Sequence, residues 1–341
     1  MSNWLQKQWL CYTPLHILLL PLSWVFAGLT CLRRALYRLG LFKSYRLPVP
    51  VIIVGNINVG GTGKTPLVIW IVEQLKKQGY TPGVVSRGYG GGYKNIAEVF
   101  VNSHPSEVGD EPVLIARRTA SPMFVGANRV AAGRALLSAH PECNILVSDD
   151  GLQHYRLQRD FEIALINSDL QFGNQLLLPA GPLREKVTRL QGVDALVNSG
   201  SADVRNFNIT EKLLPPIFSM RLQGDAFENI SGIKQIKSVD YFRDKPLVAI
   251  AGIGNPERFF NQLIGLGLQF ERKIFADHHV FTEQDLLQFA NKTLLMTEKD
   301  AVKCQMLNAV DAWYLPVTAV LDKPSGQSLT AHILQKLRMN H

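Results

Sequence analysis

The residues with the clearest chemical potential form a glycine-rich stretch near residue 60. It reads Asn58-Val59-Gly60-Gly61-Thr62-Gly63-Lys64-Thr65, and it stands between the β-branched run 51–54 and an apolar, helix-periodic stretch at 67–75. Glycines allow backbone N–H groups to close around phosphate oxygens, the lysine can reach the outer phosphates, and the threonine hydroxyl can bind Mg²⁺. The Walker A pattern has glycine where this chain has Asn58, but asparagine tolerates left-handed backbone geometry. We therefore predict a strand, a phosphate-binding loop and a helix that hold a nucleoside triphosphate.

A pair of acidic residues is predicted to complete the phosphate site. The apolar run 143–148 ends in Asp149-Asp150-Gly151. An acidic residue at the end of a buried strand is the usual Mg²⁺ partner of a phosphate-binding loop. The pattern favours a Walker B element, with a solvated Asp-Asp-Gly turn as the alternative.

Three further segments carry residues that could take part in phosphoryl transfer. Gly109-Asp110-Glu111-Pro112 holds two carboxylates, either of which could accept a proton from a hydroxyl or cap a helix. Gly181-Pro182-Leu183-Arg184-Glu185 offers an arginine for phosphoryl charge and a glutamate for Mg²⁺, with a surface ion pair as the alternative. Ser86-Arg87-Gly88-Tyr89-Gly90 could hold an anionic sugar or nucleotide, or could be a surface turn.

Two neighbouring histidines stand in Ala276-Asp277-His278-His279. Adjacent residues project in different directions and no third ligand is near in the sequence, so a catalytic or capping histidine is expected and a zinc site is not.

The elements that must position these residues alternate as in an α/β protein. Strand-like runs at 83–86, 161–167 and 194–198 are separated by helical or loop segments. We predict a P-loop NTPase-like, mainly parallel sheet with helices on both faces, whose site lies beyond the carboxyl ends of the strands. A second, smaller α/β subdomain is expected, because residues 248–251 lead through Gly252-Ile253-Gly254 into another helix. The expected division is residues 1–45 as a membrane-associated helix with a basic flank, 46–213 as the P-loop core, 214–238 as a linker and 239–341 as the second subdomain.

The amino-terminal segment has the composition of a membrane-associated helix. There is no Asp, Glu, Lys or Arg between Lys7 and Arg33, and basic residues follow the apolar run. The stretch is long enough to enter or cross a bilayer, and the positive-inside tendency would keep the rest of the chain in the cytoplasm. Pro14 and Pro21 leave open an interfacial helix or a full crossing. A helix buried against the protein's own core is the remaining alternative.

The overall composition narrows the classes of partner. The formal net charge is +8, and the four cysteines are scattered without disulfide or metal spacing. A basic chain favours anionic partners. No zinc spacing and no interleaving of basic and aromatic residues supports nucleic acid, so a membrane surface or a phosphorylated ligand is expected. Nothing in the sequence implies an oligomer.

Taken together, the motifs resemble those of the lipid A 4'-kinases, the tetraacyldisaccharide 4'-kinase family. The most specific pair is Val-Gly-Gly-Thr-Gly-Lys-Thr at 59–65 with Asp-Asp-Gly-Leu-Gln-His at 149–154, and Thr297-Glu298-Lys299-Asp300 extends the series. The resemblance implies an enzyme at the cytoplasmic face of a Gram-negative inner membrane. That enzyme would transfer the γ-phosphate of ATP, with Mg²⁺, to the 4'-hydroxyl of a tetraacyldisaccharide 1-phosphate lipid, giving lipid IVA. It also implies two α/β/α subdomains joined by a two-stranded linker.

The same resemblance implies roles for single residues. Asp110 matches the catalytic aspartate and His278 its partner, with His279 as the alternative, while Arg184 matches a residue near the transferred phosphoryl group. Thr65, Asp149, Asp150 and Glu185 match the Mg²⁺ and phosphate site. Two other functions remain open from the residues alone: a membrane NTPase that acts as a conformational switch, and a non-catalytic nucleotide-binding scaffold.

Overall fold

The computed structural model describes Trp9 and residues 14–93, 95–169, 172–200, 214–230, 235–304, 311–322 and 328–340. Within these residues the strands form two sheets, one of nine strands and one of six. Both sheets carry helices between their parallel strands. The predicted α/β class, with a mainly parallel sheet and a second smaller one, is confirmed.

Seven neighbouring strands of the larger sheet run parallel. In spatial order they are β8 (Ile217–Gln223), β7 (Ala195–Asn198), β6 (Phe161–Ile166), β1 (Val51–Gly55), β5 (Ile145–Asp149), β2 (Pro82–Ser86) and β4 (Met123–Val125). Two antiparallel strands, β15 (Thr318–Leu321) and β3 (Ala97–Glu98), form the edges. Val54 of β1 lies beside Asp149 of β5. Because neighbouring parallel strands end at the same edge, the loops that follow these two strands meet there.

Helices cover both faces of this sheet because alternate residues of its central strands point to opposite sides. Ile52 and Val54 of β1 face one core together with α2 (Lys64–Lys77), α4 (Asp110–Thr119) and α9 (Leu329–Asn340). Val51 and Ile53 face a second core together with α5 (Arg129–Ala139). A short helix, α3 (Pro105–Val108), precedes α4. Strands covered on both sides are apolar along their length, which is why β1 is a continuous β-branched run.

The described part of residues 226–315, which we call the small unit, carries the six-stranded sheet. Its order is β10 (Ile236–Ser238), β9 (Ala226–Asn229), β14 (Ala312–Leu315), β13 (Thr293–Thr297), β11 (Leu247–Ala251) and β12 (Glu271–Ile274), and the last four strands are parallel. Its helices are α6 (Pro256–Gly265), α7 (Glu283–Leu287) and α8 (Glu298–Cys304). The rings of Phe227, Phe242 and Trp313 pack together in its core.

The sheet order corrects the predicted boundaries in two places. The segment 214–238, predicted as a linker, contains β8 of the larger sheet and β9 and β10 of the smaller one. Residues 318–340, predicted to belong to the second subdomain, return to the larger sheet as β15 and α9, where the ring of His332 contacts Phe161. β8, next to the edge strand β15, has one half-exposed face and is therefore partly polar, so composition alone did not distinguish it from a linker.

The first helix, α1 (Pro14–Arg38), buries polar side chains and exposes large apolar ones, which is the opposite of the usual pattern in a soluble protein. Its buried positions include the polar His16 and Ser23, whereas Leu18 and Trp24 are 75% and 69% exposed. Ser23 Oγ donates a hydrogen bond to the carbonyl of Leu177 at 2.8 Å, which fixes the polar stripe on the protein. The helix is long and apolar enough to cross a membrane, and most of its apolar stretch is not buried in the protein. Its apolar face is thus not covered by the described part of the protein's own core.

Candidate active site

The glycine-rich loop lies between β1 and α2 and is held from several directions. Gly60 and Gly63 have φ angles of 118° and 93°, a region that side chains other than glycine rarely adopt. Thr62 is fixed by Asn56 Nδ2, which donates to its Oγ1 at 3.2 Å, and by Ser199 Oγ, which donates to its carbonyl at 2.8 Å. The helix α2 begins at Lys64 and contains the apolar, helix-periodic stretch at 67–75 that the sequence predicts as helical.

The second residue of the acidic pair is held by two cations. Lys64 Nζ lies 3.5 Å from Asp150 Oδ1, and Arg184 Nη1 lies 3.1 and 2.9 Å from the two carboxylate oxygens. Burial alone would raise the pKa of Asp150, but Lys64 and Arg184 outweigh it and lower that pKa to about 2. The structure thus brings together Lys64, Asp150 and Arg184 as one charged group at the end of β5.

Asp149, the first residue of the pair, has the opposite environment. It is 1% exposed, its Oδ2 accepts a hydrogen bond from Ser86 Oγ at 3.3 Å, and its Oδ1 is buried without a hydrogen-bond partner. Burial, followed by the charges of Glu111 and Asp150, raises the pKa of Asp149 to about 7. An orphaned carboxylate oxygen at this place is a ready position for a cation.

Glu185 is tied to neighbouring polar side chains. Its carboxylate accepts hydrogen bonds from the hydroxyl of Tyr155 and from Gln153 Nε2, the latter at 3.0 Å. Gln153 also donates to the carbonyl of Asn56 at 2.9 Å, at the entry of the glycine-rich loop. Among the described residues, no group of three or more His, Cys, Asp and Glu side chains could hold a metal ion. Because Gln153 connects it with Asn56, Glu185 lies beside the loop. Its assignment as a Mg²⁺ ligand stays a prediction.

The carboxylate of Asp110 lies at the first position of α4 and contacts the small unit. Its Oδ2 lies 3.0 Å from Nδ1 of His278, and its Oδ1 accepts the backbone N–H of Glu111 at 2.9 Å. The residue is 4% exposed. Burial acts to raise the pKa of Asp110, but the hydrogen bond with His278 and the charge of Lys299 hold that pKa below its ordinary value. Asp110 is therefore an ionised, oriented acceptor.

His278 is the partner of Asp110, and His279 is not. His278 has a left-handed φ of 59°, and its ring packs edge-on against Tyr89. The hydrogen bond with Asp110 raises the pKa of His278, while burial and Lys299 act against that rise. His279 Nε2 instead lies 3.2 Å from Asp285 Oδ2, at the capped start of α7.

The turn at Gly252-Ile253-Gly254 joins the small unit to the glycine-rich loop. A side-chain carbon on Gly254 would lie 3.3 Å from Oδ2 of Asp277 and 3.9 Å from the backbone N of Gly61. The segment that carries His278 is therefore next to the loop. The turn leads directly from β11 into α6, as expected for a strand-to-helix turn.

Several residues of this site were not predicted from the sequence. Arg258 of α6 places its Nη1 within 3.4 Å of where a side chain of Gly63 would be. Lys299 of α8 lies 3.7 Å from Asp110 Oδ2. Arg129, 7% exposed at the start of α5, donates to the carbonyl of Asp150 at 3.3 Å. Only Lys299 lay in a segment that the sequence singled out, and there its role had no signal because its partners are distant in the chain.

Known proteins match this chain over nearly its full length. A family model described as tetraacyldisaccharide-1-P 4'-kinase matches residues 15–338. The tetraacyldisaccharide 4'-kinase of Methylobacillus flagellatus is 47% identical over 335 residues, covering 97% of this chain and 96% of that protein. The kinase of the same name from Dechloromonas aromatica is 47% identical, with coverages of 99% and 98%.

A solved structure has the same fold. The crystal structure of LpxK from Aquifex aeolicus in complex with ATP superposes with a TM-score of 0.79 at 29% identity, covering 95% of this chain and 99% of that one. The chain therefore belongs to the tetraacyldisaccharide 4'-kinase family.

Proposed function

We propose that this chain transfers the γ-phosphate of ATP to the 4'-hydroxyl of a tetraacyldisaccharide 1-phosphate at the cytoplasmic face of the inner membrane. The observation that carries the proposal is the Asp110–His278 pair at 3.0 Å, held beside a glycine-rich loop that ends in Lys64 and Thr65. A nucleotide loop alone would fit a switch. A buried carboxylate with a histidine partner gives the site a group that can orient an acceptor hydroxyl.

The nucleotide would lie on the glycine-rich loop. Residues 58–65 would surround the phosphates with backbone N–H groups, Lys64 would contact the outer phosphates, and Arg258 would add a positive charge from the small unit. The related LpxK from Aquifex aeolicus was crystallised with ATP, which supports ATP as the donor.

The residues at the end of β5 fit a magnesium ion. Asp149 has a buried carboxylate oxygen without a partner, and Thr65 stands at the second position of α2. Mg²⁺ is usually bound by one or two carboxylates together with substrate phosphates and water, so a larger cluster of acidic ligands is not needed. Asp149 and Thr65 would hold the ion, with Asp150 and Glu185 in the surrounding shell. When bound, the ion neutralises charge on the phosphate oxygens.

Asp110 would act on the acceptor. A sugar hydroxyl must be held in line with the γ-phosphate, and phosphoryl transfer depends on such positioning more than on covalent help. The ionised Asp110 would accept the hydroxyl proton, and His278 would orient Asp110 and adjust its basicity. Arg184, held 2.9 Å from Asp150, would stabilise charge near the transferred group.

A cluster of arginines next to the first helix suits an anionic lipid. Burial lowers the pKa of His154 to about 4, and the positive charges of Arg129, Arg159, Arg33 and Arg156 act in the same direction. Arg33 belongs to α1, so this positive region adjoins the exposed apolar helix. A phosphorylated disaccharide with acyl chains matches both features, because its head is anionic and its chains need an apolar phase.

The test uses purified full-length protein with labelled ATP, Mg²⁺ and a tetraacyldisaccharide 1-phosphate in detergent micelles. We expect label in the lipid, removable by a phosphatase that acts on phosphate monoesters. Release of free phosphate without labelled lipid would instead indicate an NTPase switch. The Lys64→Ala variant serves as the inactive control.

A further inference from the structure

The motif Thr297-Glu298-Lys299-Asp300 lies at the start of α8, and its last residue, Asp300, anchors it. Asp300 is fully buried, and its Oδ2 accepts hydrogen bonds from Thr297 Oγ1 at 2.7 Å and from the backbone N–H of Gly252 at 3.0 Å. Its Oδ1 pairs with Lys303 Nζ at 2.6 Å. These bonds fix the first turn of α8 on the sheet of the small unit, so that the two residues between Thr297 and Asp300 have defined directions.

Those two residues, Glu298 and Lys299, both contact α4, which belongs to the part of the chain that carries the larger sheet and that we call the large unit. Arg118 Nη1 lies 2.7 and 2.9 Å from the two carboxylate oxygens of Glu298. Lys299 Nζ lies 3.1 Å from Glu111 Oε1 and 3.7 Å from Asp110 Oδ2, with its side chain 19% exposed. The two units therefore meet through two neighbouring contacts, and only the second of them touches the carboxylate at the site.

We propose that Lys299 is a positioning residue for Asp110, and that it supplies a permanent positive charge beside a partner, His278, whose charge changes with pH. The inference rests on the proposed function and names a further determinant of that reaction. His278 can lose its proton in the neutral range, whereas an ammonium group beside two carboxylates stays charged. Lys299 would thus keep Asp110 ionised and oriented whether His278 is protonated or neutral.

Few charged groups surround the Asp110–His278 pair among the described residues, so the effect of removing one of them on the titration of the pair can be predicted. Asp110 and His278 share one hydrogen bond, so their protons titrate as those of a coupled pair. Lys299 lowers the pKa of both members. The charged or titratable groups that face the pair are Glu111, Asp277, Lys299 and Lys303, with the ring of Tyr89 beside His278.

Removing the charge of Lys299 should therefore move the acidic limb of the activity profile. For Lys299→Met we expect the limb of kcat/KM to shift to higher pH by about one unit, because both members of the pair lose a positive neighbour. At a fixed pH on the limb itself the turnover should fall by about tenfold, the equivalent of that shift, whereas on the plateau at neutral pH it should change little. Lys299→Arg keeps the charge and should restore the limb.

The matched control is Arg118→Met, which removes a cation from the same contact between α4 and α8 without touching Asp110. It should leave the limb where it is. A uniform loss of activity in Lys299→Met with an unshifted limb, or an equal shift in Arg118→Met, would overturn the inference and reduce Lys299 to a structural contact.

A mutant cycle keeps the inference testable if Lys299→Met folds poorly. Lys299→Gln, which can still bond to Glu111, is combined with Asp110→Asn, and the double variant should lose no more turnover than Asp110→Asn alone. Additive losses would show that Lys299 acts independently of Asp110. If the wild-type protein does not phosphorylate the lipid, the proposed function fails. If it does and the limb stays in place, only the role of Lys299 fails.

Discussion

Two pairs of neighbouring acids lie in this site, and they are completed in different ways. At the end of β5, Asp150 is neutralised by Lys64 and Arg184, both from the part of the chain that carries the larger sheet. At the start of α4, Asp110 and Glu111 are neutralised by His278 and Lys299 of the small unit. The cations that hold Asp150 therefore come from one unit, whereas those that hold Asp110 and Glu111 come from the other.

This difference assigns separate tasks to the two acid pairs. In the proposed function, the end of β5 would receive the nucleotide and its metal mainly with residues of the unit that carries the larger sheet, to which the small unit would add Arg258. The start of α4 would provide an oriented base only when α8 and the segment 276–279 pack against it. Such an arrangement would link the acceptor chemistry to closure of the two units, which excludes water from the reaction.

The largest effect is expected where the two units meet. Asp110→Asn keeps the shape of the side chain but removes the base, so we expect kcat to fall by about 10³-fold while ATP binding persists. Steady-state lipid phosphorylation gives kcat, and calorimetry with a non-hydrolysable ATP analogue gives the affinity. The control is Asp285→Asn, which breaks the contact between Asp285 and His279 and should leave turnover unchanged. A loss of ATP affinity in Asp110→Asn would remove the distinction between the two acid pairs.

At the end of β5, a substitution should weaken ATP binding as well as lower turnover. Lys64→Met should lower kcat by about 10²-fold and weaken ATP binding, because the lysine contacts phosphate in both the ground state and the transition state. The same two measurements apply. Lys64→Arg retains the charge and should recover part of the affinity. A variant with normal ATP affinity and a purely catalytic defect would contradict the assignment of this end to nucleotide binding.

The first of these regions could be predicted from the sequence, and the second only in part. Strand β1, the loop and α2 are contiguous in the chain. A buried apolar run that ends in Asp149-Asp150 indicates a second parallel strand, and because parallel strands end at one edge of a sheet, its acids are expected beside the loop. Asp110 was found through its resemblance to a family motif. The choice between His278 and His279 was not decided, because both lie near acids in the sequence and only packing separates them. The roles of Lys299 and Arg258 could not be predicted, because their positions depend on how the two units pack. β15 and α9 were not assigned to the larger sheet, because nothing in the composition of these segments indicates that the chain returns to it.

Asp149 should show a conflict between stability and activity. Its carboxylate is buried beside Asp150, and its pKa is raised to about 7. Without nucleotide and metal, Asp149→Asn relieves the charge and should raise the melting temperature by about 2 °C, while lipid phosphorylation falls. Thermal denaturation is measured with a chelator at about pH 8, where the native carboxylate is charged. Asp150→Asn is the matched comparison, and it should lower the melting temperature because Lys64 and Arg184 lose their partner. Equal shifts in both variants would mean that the two carboxylates share one environment.

The smallest effect concerns the stability of the contact between the units as a function of pH. The pKa of His278 is raised from its ordinary 6.5, so this group contributes stability that is fully present below pH 6.5 and is lost as the pH rises through its folded pKa. The pKa of Asp110 is lowered from its ordinary 3.8, so its contribution is present above that value and is lost as the pH falls through its folded pKa. The pair should therefore stabilise the protein most between these two ordinary values. The melting temperature of wild type should exceed that of His278→Gln by about 1–3 °C near pH 6, and the difference should shrink towards pH 8. In an Asp110→Asn background the same substitution should give a difference that is smaller and independent of pH. A difference that grew with pH would mean that His278 is held in its neutral form, and the contact between the two units would then not depend on the imidazolium charge.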